Sequence, residues 1–161
     1  MRRLGVFIAT VGYVGYAPLA PGTFGSAAGL VVFYAIRELS ARAGIGYGGV
    51  ELAAIVVLFV IGIWSGTEAE HHFGGLDPGP IVLDEVIGML ITLALLPVNI
   101  WGAIAGFLVF RVLDVIKPWP ARGLERLPGG LGVMADDGMA ALYGNLVMRA
   151  LLWAAPAWFQ A

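Results

Sequence analysis

All acidic residues except Glu38 and Glu51 lie between residues 68 and 137, and they stand at the ends of long apolar segments. Hydrophobic residues make up 60% of the chain and charged residues 12%, whereas soluble domains average about 50% and about 25%. The chain must therefore either lie in a membrane or fold into an almost complete apolar core. At 161 residues it is predicted to form one domain over residues 1–161.

Composition also excludes several classes of function. The chain has no cysteine, which excludes a disulfide framework and any enzyme that needs a cysteine nucleophile. A net charge of −2 gives no case for nucleic-acid binding. The basic and apolar stretch from Met1 to Val11 imitates a signal peptide, but no convincing cleavage site follows it, so we expect it to be retained. Nothing in the sequence indicates an oligomeric state.

Charge is concentrated in one stretch of the second half of the chain. Arg111, Asp114 and Lys117 have the i, i+3, i+6 spacing that places side chains on one face of a helix. Pro118 disfavours helical geometry at Lys117, so the helix is predicted to end there. A glycine loop then returns the Asp136–Asp137 pair to this helix end. The alternative is a plain helix end, with cations at the favourable pole of the helix dipole and a solvated turn after it.

A second polar segment, residues 20–26, is predicted to be a loop that leads into a helix over residues 27–39. Ser26 is its expected N-cap. Free N–H groups at such a start, with the hydroxyls of Thr23 and Ser26, suit an anion. Plain capping is the alternative interpretation.

The next segment reads as a loop over residues 37–51 followed by a uniformly apolar helix over residues 52–66. Glu68, His71 and His72 come at its end, with i, i+3 and i+4 spacing that could bind a metal. A helix end that reaches water explains the same cluster without a metal.

Asp84 and Glu85 stand side by side in an apolar segment. A turn at residues 77–80 precedes a predicted helix over residues 81–96, which would carry both carboxylates one turn in, with Gly88 leaving room above them. Adjacent carboxylates at such a position are poorly explained as solubilising charge. Acidic groups near membrane depth are costly and point to function.

The polar clusters are predicted to meet on one side of the molecule. Two apolar helices separate the first loop from the turn at residues 77–80, and two more, 81–96 and 101–117, separate Glu85 from Arg111. The last two helices have about 17 residues each, which gives each a length of roughly 25 Å, and could nearly span a hydrocarbon core of ~30 Å. We therefore predict an all-α, compact bundle of about six helices, membrane-associated or integral, with polar loops and helix ends gathered on one side.

The basic residues indicate the orientation. Four cations lie on the side of the clusters (Arg111, Lys117, Arg122 and Arg126), against Arg37 and Arg42 on the opposite side. The positive-inside bias then places the clusters in the cytoplasm.

Five carboxylates could supply hard oxygen ligands: Asp84, Glu85, Asp114, Asp136 and Asp137. Without cysteine and with only two adjacent histidines, this set selects Mg²⁺ over zinc. Arg111, Lys117 and Arg122 supply positive charge for a phosphate. These are the parts needed for phosphoryl chemistry at a membrane surface.

At these residues the sequence resembles the phosphatidylglycerophosphatase A family. Three separated motifs carry the resemblance: Pro21 to Ser26, Ile81 to Glu85 with Gly88, and a third that runs from Phe110 through Arg111, Asp114, Lys117-Pro118 and Gly129-Gly130 to Asp136-Asp137. The family implies a Mg²⁺-dependent membrane phosphatase that converts phosphatidylglycerophosphate to phosphatidylglycerol. Glu125 and Ala141 depart from the pattern, where Asp and Gly are expected, and Glu125 is therefore held out of the site.

The resemblance also implies roles for single residues. The implied metal ligands are Asp84, Glu85, Asp136 and Asp137, and Asp114 is either a ligand or the base that orients water. Arg111 and Lys117 would bind the phosphate, with Thr23 and Ser26 binding it from the opposite loop. Arg122 would hold the internal phosphodiester of the lipid. The catalytic residues would then be Asp84, Asp114 and Asp137, acting either as a nucleophile or by activating water.

Two other classes of protein compete with this interpretation. An ion-coupled transporter or channel would use the carboxylates to carry cations, but it predicts an internal repeat and charge at the midplane, and neither is evident. A compact soluble binding protein would need the apolar helices to cover one another completely.

Overall fold

The computed structural model describes all residues from Met1 to Ala161 and is entirely helical apart from one isolated β-bridge between Val98 and Gln160. The helices in chain order are α1 (Arg2–Ala9), α2 (Pro21–Arg42), α3 (Tyr47–Phe73), α4 (Leu83–Leu93), α5 (Ile100–Ile116), α6 (Ala121–Leu124), α7 (Gly130–Ala154) and α8 (Pro156–Phe159). A single 3₁₀ turn, Val14–Tyr16, lies between α1 and α2. Six helices have eight or more residues, which confirms the predicted all-α bundle.

The short helix α4 forms the centre of the molecule. Nine of its eleven residues are buried, and it packs mainly between α2 and α7. Met89, Leu90 and Leu93 join one apolar cluster with Phe110 of α5. Its first turns join a second cluster with α1 and α7. Because α4 is buried on nearly every face, it is a core helix here.

Glycines set how closely the helices approach α4 and α7. A Cβ on Gly25 of α2 would lie within 3 Å of Val82, the residue before α4, and a Cβ on Gly29 would lie within 3 Å of Met89 in α4. Gly66 of α3 faces the backbone of Gly130 in α7 in the same way. Gly88 is packed against the ring of Phe110, so the expected free space above the carboxylates is filled.

Several predicted boundaries are wrong. The segment 20–26 is not a loop, because α2 begins at Pro21 and contains Ser26 in its interior. Ser26 Oγ donates to Gly22 O instead of capping the helix. The glycine loop before the paired aspartates is also shorter than expected, since α7 begins at Gly130 and carries Asp136 and Asp137 in its second turn.

The predicted loop over residues 37–51 reduces to the connection at residues 43–46. The helix ends beside it are joined by an ion pair between Arg37 Nε and Glu51 Oε1 at 2.8 Å. Glu51 is buried and also accepts from the Leu95 N–H at 3.0 Å. This network closes the end of the bundle opposite the carboxylate clusters.

The helices that could cross a membrane differ from those expected. By length and composition α2, with 22 residues, and α3, with 27 residues, qualify. In contrast, α4 has 11 residues, or about 16 Å at ~1.5 Å per residue, and cannot span a bilayer. The prediction that the helix over residues 81–96 nearly spans the membrane is therefore wrong. The 17-residue α5 begins and ends within one residue of the predicted bounds, 101 and 117.

Candidate active site

Parts of five segments meet at one end of the bundle and enclose a cavity of about 190 Å³. They are the start of α2, the connection before α4, the first turn of α4, the end of α5 and the second turn of α7. The cavity is lined by Ala20, Pro21, Gly22, Asp77, Gly79, Ile81, Asp84, Glu85, Arg111, Asp114, Lys117 and Asp137. The predicted meeting of the polar clusters on one side is thus confirmed.

Three carboxylates converge in this cavity. Asp84, Glu85 and Asp137 each place one oxygen so that the three atoms lie within 4.8 Å of one another. Asp84 and Asp137 are 5% and 3% exposed. One oxygen of each residue, Asp84 Oδ1, Glu85 Oε2 and Asp137 Oδ2, is buried without a hydrogen-bond partner. Because unpaired buried anions are costly, this carboxylate triad fits a hard cation.

The electrostatics of the triad agree with its geometry. Burial and the neighbouring charges of Glu85 and Asp137 raise the pKa of Asp84 well above its ordinary value. Burial likewise raises the pKa of Asp137, with Asp114 and Glu85 adding to the effect. Burial raises the pKa of Glu85 to about 7, although its hydrogen bond with Asp84 works in the opposite direction. Without a cation, the folded protein therefore favours protonated carboxyls here.

Arg111 lies on one side of the triad. Its Nη1 is 2.7 Å from Asp114 Oδ2 and 3.6 Å from Glu85 Oε1. The same nitrogen donates to Ser26 Oγ at 3.4 Å. The predicted grouping of Arg111 with Asp114 on one helix face is therefore present, and Ser26 touches the site through Arg111.

Lys117 lies on the other side. Its Nζ donates to Asp136 Oδ2 and lies 3.8 Å from Asp137 Oδ1 and from Asp77 Oδ2. Burial lowers the pKa of Lys117, but the hydrogen bond to Asp136 and the nearby carboxylates outweigh it and raise the pKa above its ordinary value. Lys117 is therefore a fixed cation beside the triad.

Local sequence explains how the ends of α4 and α5 present these groups. Pro118 stops α5, and Lys117 takes a left-handed conformation with φ of 44° at the C-cap, as the predicted helix end requires. Asp84 and Glu85 lie in the first turn of α4 rather than a turn further in. Carboxylates in a first turn are stabilised by the helix dipole.

Not all predicted site residues line the cavity. Thr23 is exposed in the first turn of α2, and Arg122 is exposed on α6; neither lines the cavity. Asp136 is buried, but it pairs with Lys117 and stands outside the triad. The functional roles given to these residues stay predictions.

Asp77 also lines the cavity, although the sequence predicts only a turn at this position. Its left-handed conformation, with φ of 42°, is held by a hydrogen bond from its N–H to Glu70 Oε1 at 3.1 Å. Burial raises its pKa to about 6 against the opposing charge of Lys117. The topological argument could have found it, because its loop must return to the same side as the other clusters.

The alternative metal cluster at the end of α3 is not supported. His71 and His72 are exposed, and the triad is the only group of three or more close metal-binding side chains in the chain. Glu125 is half-buried and does not line the cavity, although its charge adds to the raised pKa of Asp77 and of Asp136.

Comparison with known proteins identifies the family. The family model described as phosphatidylglycerophosphatase A matches residues 7–152. The chain belongs to this family. It is 39% identical over 132 residues to phosphatidylglycerophosphatase A of Escherichia coli, which covers 80% of this chain and 72% of that protein. It is 36% identical over 136 residues to phosphatidylglycerophosphatase A of Haemophilus influenzae, with 82% and 78% covered.

A third relative carries a different name. A protein of Bacteroides thetaiotaomicron, provisionally named a phosphatidylinositol-3-phosphatase, is 36% identical over 154 residues, which cover 93% of this chain and 94% of that protein. No solved structure matches the chain. The family places this chain among lipid phosphatases, as the resemblance implied, and its two long apolar helices with its bacterial relatives indicate a bacterial membrane protein.

Proposed function

We propose that this protein hydrolyses the terminal phosphate monoester of phosphatidylglycerophosphate and releases phosphatidylglycerol and phosphate. One observation carries the proposal: three buried carboxylates with unpartnered oxygens share a cavity with Arg111 and Lys117. Family membership supplies the class of substrate.

Mg²⁺ is the proposed cofactor. Asp84, Glu85 and Asp137 offer only oxygen ligands, which suit a hard cation. When bound, the ion would neutralise phosphoryl charge and lower the pKa of a bound water. Asp136, which the resemblance implied as a fourth ligand, pairs with Lys117, and we assign it the role of holding that cation in place.

The chain's own residues bind the phosphate and move the proton. Arg111 already faces the cavity, and it can donate to a phosphate by giving up part of its contact with Asp114. Asp114 lies outside the triad, so it is the candidate base that orients and deprotonates the attacking water. Lys117 supplies a second positive charge from the opposite side.

The proposed location is the bacterial inner membrane, with the cavity on the cytoplasmic side. Arg111, Lys117, Arg122 and Arg126 lie at or near this end of the bundle, against Arg37, Arg42 and Arg149 at the other end, and this excess of cations supports the orientation. The carboxylates lie at helix ends rather than midway along the long helices, which disfavours a transport path through the bundle.

A second candidate substrate follows from the relative provisionally named a phosphatidylinositol-3-phosphatase. Both lipids present a phosphate monoester on a glycerophospholipid headgroup. The cavity holds charges that suit either phosphate, so the assay must compare the two lipids.

The test is phosphate release from each lipid in detergent micelles, with Mg²⁺ and with a chelator. Native protein is compared with Asp137→Asn and with Glu38→Gln, a control at an exposed site far from the cavity. We expect release that requires Mg²⁺, survives Glu38→Gln and collapses in Asp137→Asn. Folded native protein that releases no phosphate from either lipid contradicts the proposal. A preference for the inositol lipid would mean that the substrate is the inositol lipid, while the proposed phosphatase chemistry would stand.

A further inference from the structure

A second cavity lies away from the carboxylates and is almost wholly apolar. It has a volume of about 460 Å³ and forms a trench between α3 and α7, with the end of α4 as its floor. Leu52, Phe59, Ile91, Met139 and Leu142 are among its lining residues. It shares no residue with the carboxylate cavity, so it is not an extension of the catalytic site.

Polar groups occur at only one end of this trench. Arg149 forms no ion pair, and its only side-chain hydrogen bond runs from Nε to Asn145 Oδ1 at 2.9 Å. Asn145 in turn donates to the carbonyls of Ile91, Thr92 and Ala94 at 3.1 Å. The guanidinium is thereby anchored to the end of α4 while its terminal nitrogens remain free.

A third cavity, of about 320 Å³, adjoins the trench at Arg149 and Leu95. Trp153 and Gln160 also line it. Trp153, one helical turn beyond Arg149, is 87% exposed, and Trp101 and Trp158 are exposed at the same end of the bundle. Exposed tryptophans are typical of the level of lipid headgroups.

The dimensions fit a single lipid chain. Along α7, Arg149 lies fourteen residues beyond Ala135, or about 21 Å at ~1.5 Å per residue. One leaflet contributes about half of the ~30 Å hydrocarbon core. The trench therefore offers enough length for one acyl chain, with a free cation where the headgroup would begin.

We propose that the trench and its adjoining pocket hold one anionic phospholipid from the leaflet opposite the carboxylate site. One acyl chain lies along α7, and the phosphodiester binds Arg149. This lipid is a resident ligand rather than the substrate, because the charge stands at the end of the trench distant from the carboxylates.

The test is native mass spectrometry of the detergent-solubilised protein with dioleoylphosphatidylserine or dioleoylphosphatidylcholine. Neither probe has a phosphate monoester, so neither tests the phosphatase activity. We expect one bound lipid per chain and a preference of about fivefold for the anionic lipid, which is what one arginine near a charged membrane surface contributes.

Five variants locate the site. Arg149→Gln should abolish the preference and Arg149→Lys should retain much of it, while Arg42→Gln, at an exposed arginine of the same end, should leave it unchanged. Leu142→Trp should fill the trench and reduce binding of both lipids, whereas Leu146→Trp, at an exposed position outside the cavities, should not.

Equal preference in native protein and a folded Arg149→Gln variant overturns the proposal. A lipid-free dimer in which residue 142 can be crosslinked to the second chain would also overturn the proposal, because the trench would then be covered by a second copy of the chain. Thermal unfolding of each variant identifies those that fail to fold. If one of the other variants fails to fold, the results for Arg149→Lys and Leu146→Trp still decide the test.

Discussion

A Cβ atom on Gly22 would clash with Oε1 of Glu85, so the carboxyl group of Glu85 holds its position at the cavity because residue 22 has no side chain. The same Cβ would approach Nη1 of Arg111 to 2.9 Å. Gly22→Ala is therefore expected to displace a triad carboxylate and a phosphate-binding cation together. We expect kcat/KM to fall about 100-fold, because a misplacement of about 1 Å in an active site can cost roughly this factor in rate.

Gly79 provides the matched control for this change. It lines the same cavity, yet a Cβ there would meet no atom within 4 Å. Gly79→Ala should retain nearly all phosphate release in the micelle assay. Equal activities for the two variants would show that the contact between residue 22 and Glu85 is not needed for the reaction.

Asp84→Asn is predicted to raise stability while it removes activity. Asp84 is buried, its Oδ1 has no partner, and two other carboxylates face it. An amide removes the cost of burying or protonating this carboxyl, and a gain of about 1 kcal/mol would raise the midpoint of thermal unfolding by about 2–4 °C in a chain of this size. The measurement is the unfolding midpoint in chelator and in Mg²⁺.

The same experiment tests the metal. Native protein should gain stability from Mg²⁺, whereas Asp84→Asn should gain little, since it loses a ligand. Glu38→Gln, at an exposed ion pair, should behave as native protein in both conditions. A variant that is less stable than native protein in chelator contradicts the idea that the buried triad carboxyls destabilise the metal-free fold.

Stability of the metal-free protein should fall as pH rises from about 4 to about 7. Folding raises the pKa of Asp77 to about 6 and that of Glu85 to about 7, mainly through burial. A carboxyl whose pKa is higher in the folded state stabilises the fold below its unfolded pKa, and this contribution is lost as pH passes the folded pKa. Unfolding midpoints in chelator across this range provide the measurement, and Mg²⁺ should flatten the curve. A rising midpoint in chelator would contradict the assignment.

Lys117 and Asp136 should behave as a coupled pair. Asp136 is 1% exposed at its side chain and contacts Lys117 directly. Lys117→Met leaves that carboxylate buried and unpaired, which we expect to destabilise the fold by about 3 kcal/mol. Adding Asp136→Asn should restore most of the stability but no activity, because the cation is still missing. The measurement is a double-mutant cycle of unfolding free energies, and additive effects would show that the pair is not coupled.

The meeting of the polar clusters could be predicted because hairpins of apolar helices return the chain to the same side. The end of α5 could be predicted because Pro118 excludes helical geometry at Lys117. The start of α2 could not, since Gly22 and Gly25 suggest a loop, and only their close contact with α4 explains a helix there. The length of α4 could not be predicted from the sequence either, because an apolar run does not distinguish a core helix from a membrane span.

Ser26 and Thr23 were predicted to act together, and the structure separates them. Ser26 is buried and accepts a hydrogen bond from Arg111 at 3.4 Å, while Thr23 is exposed and outside the cavity. Ser26→Ala should therefore lower kcat/KM about fivefold through a less well held Arg111, in line with the ~1 kcal/mol that one such bond contributes. Thr23→Ala should leave the value nearly unchanged. Kinetics of the two variants with the same lipid decide the matter: a severe loss in Thr23→Ala with normal activity in Ser26→Ala would mean that the start of α2 binds phosphate through the exposed hydroxyl, as the sequence alone suggested.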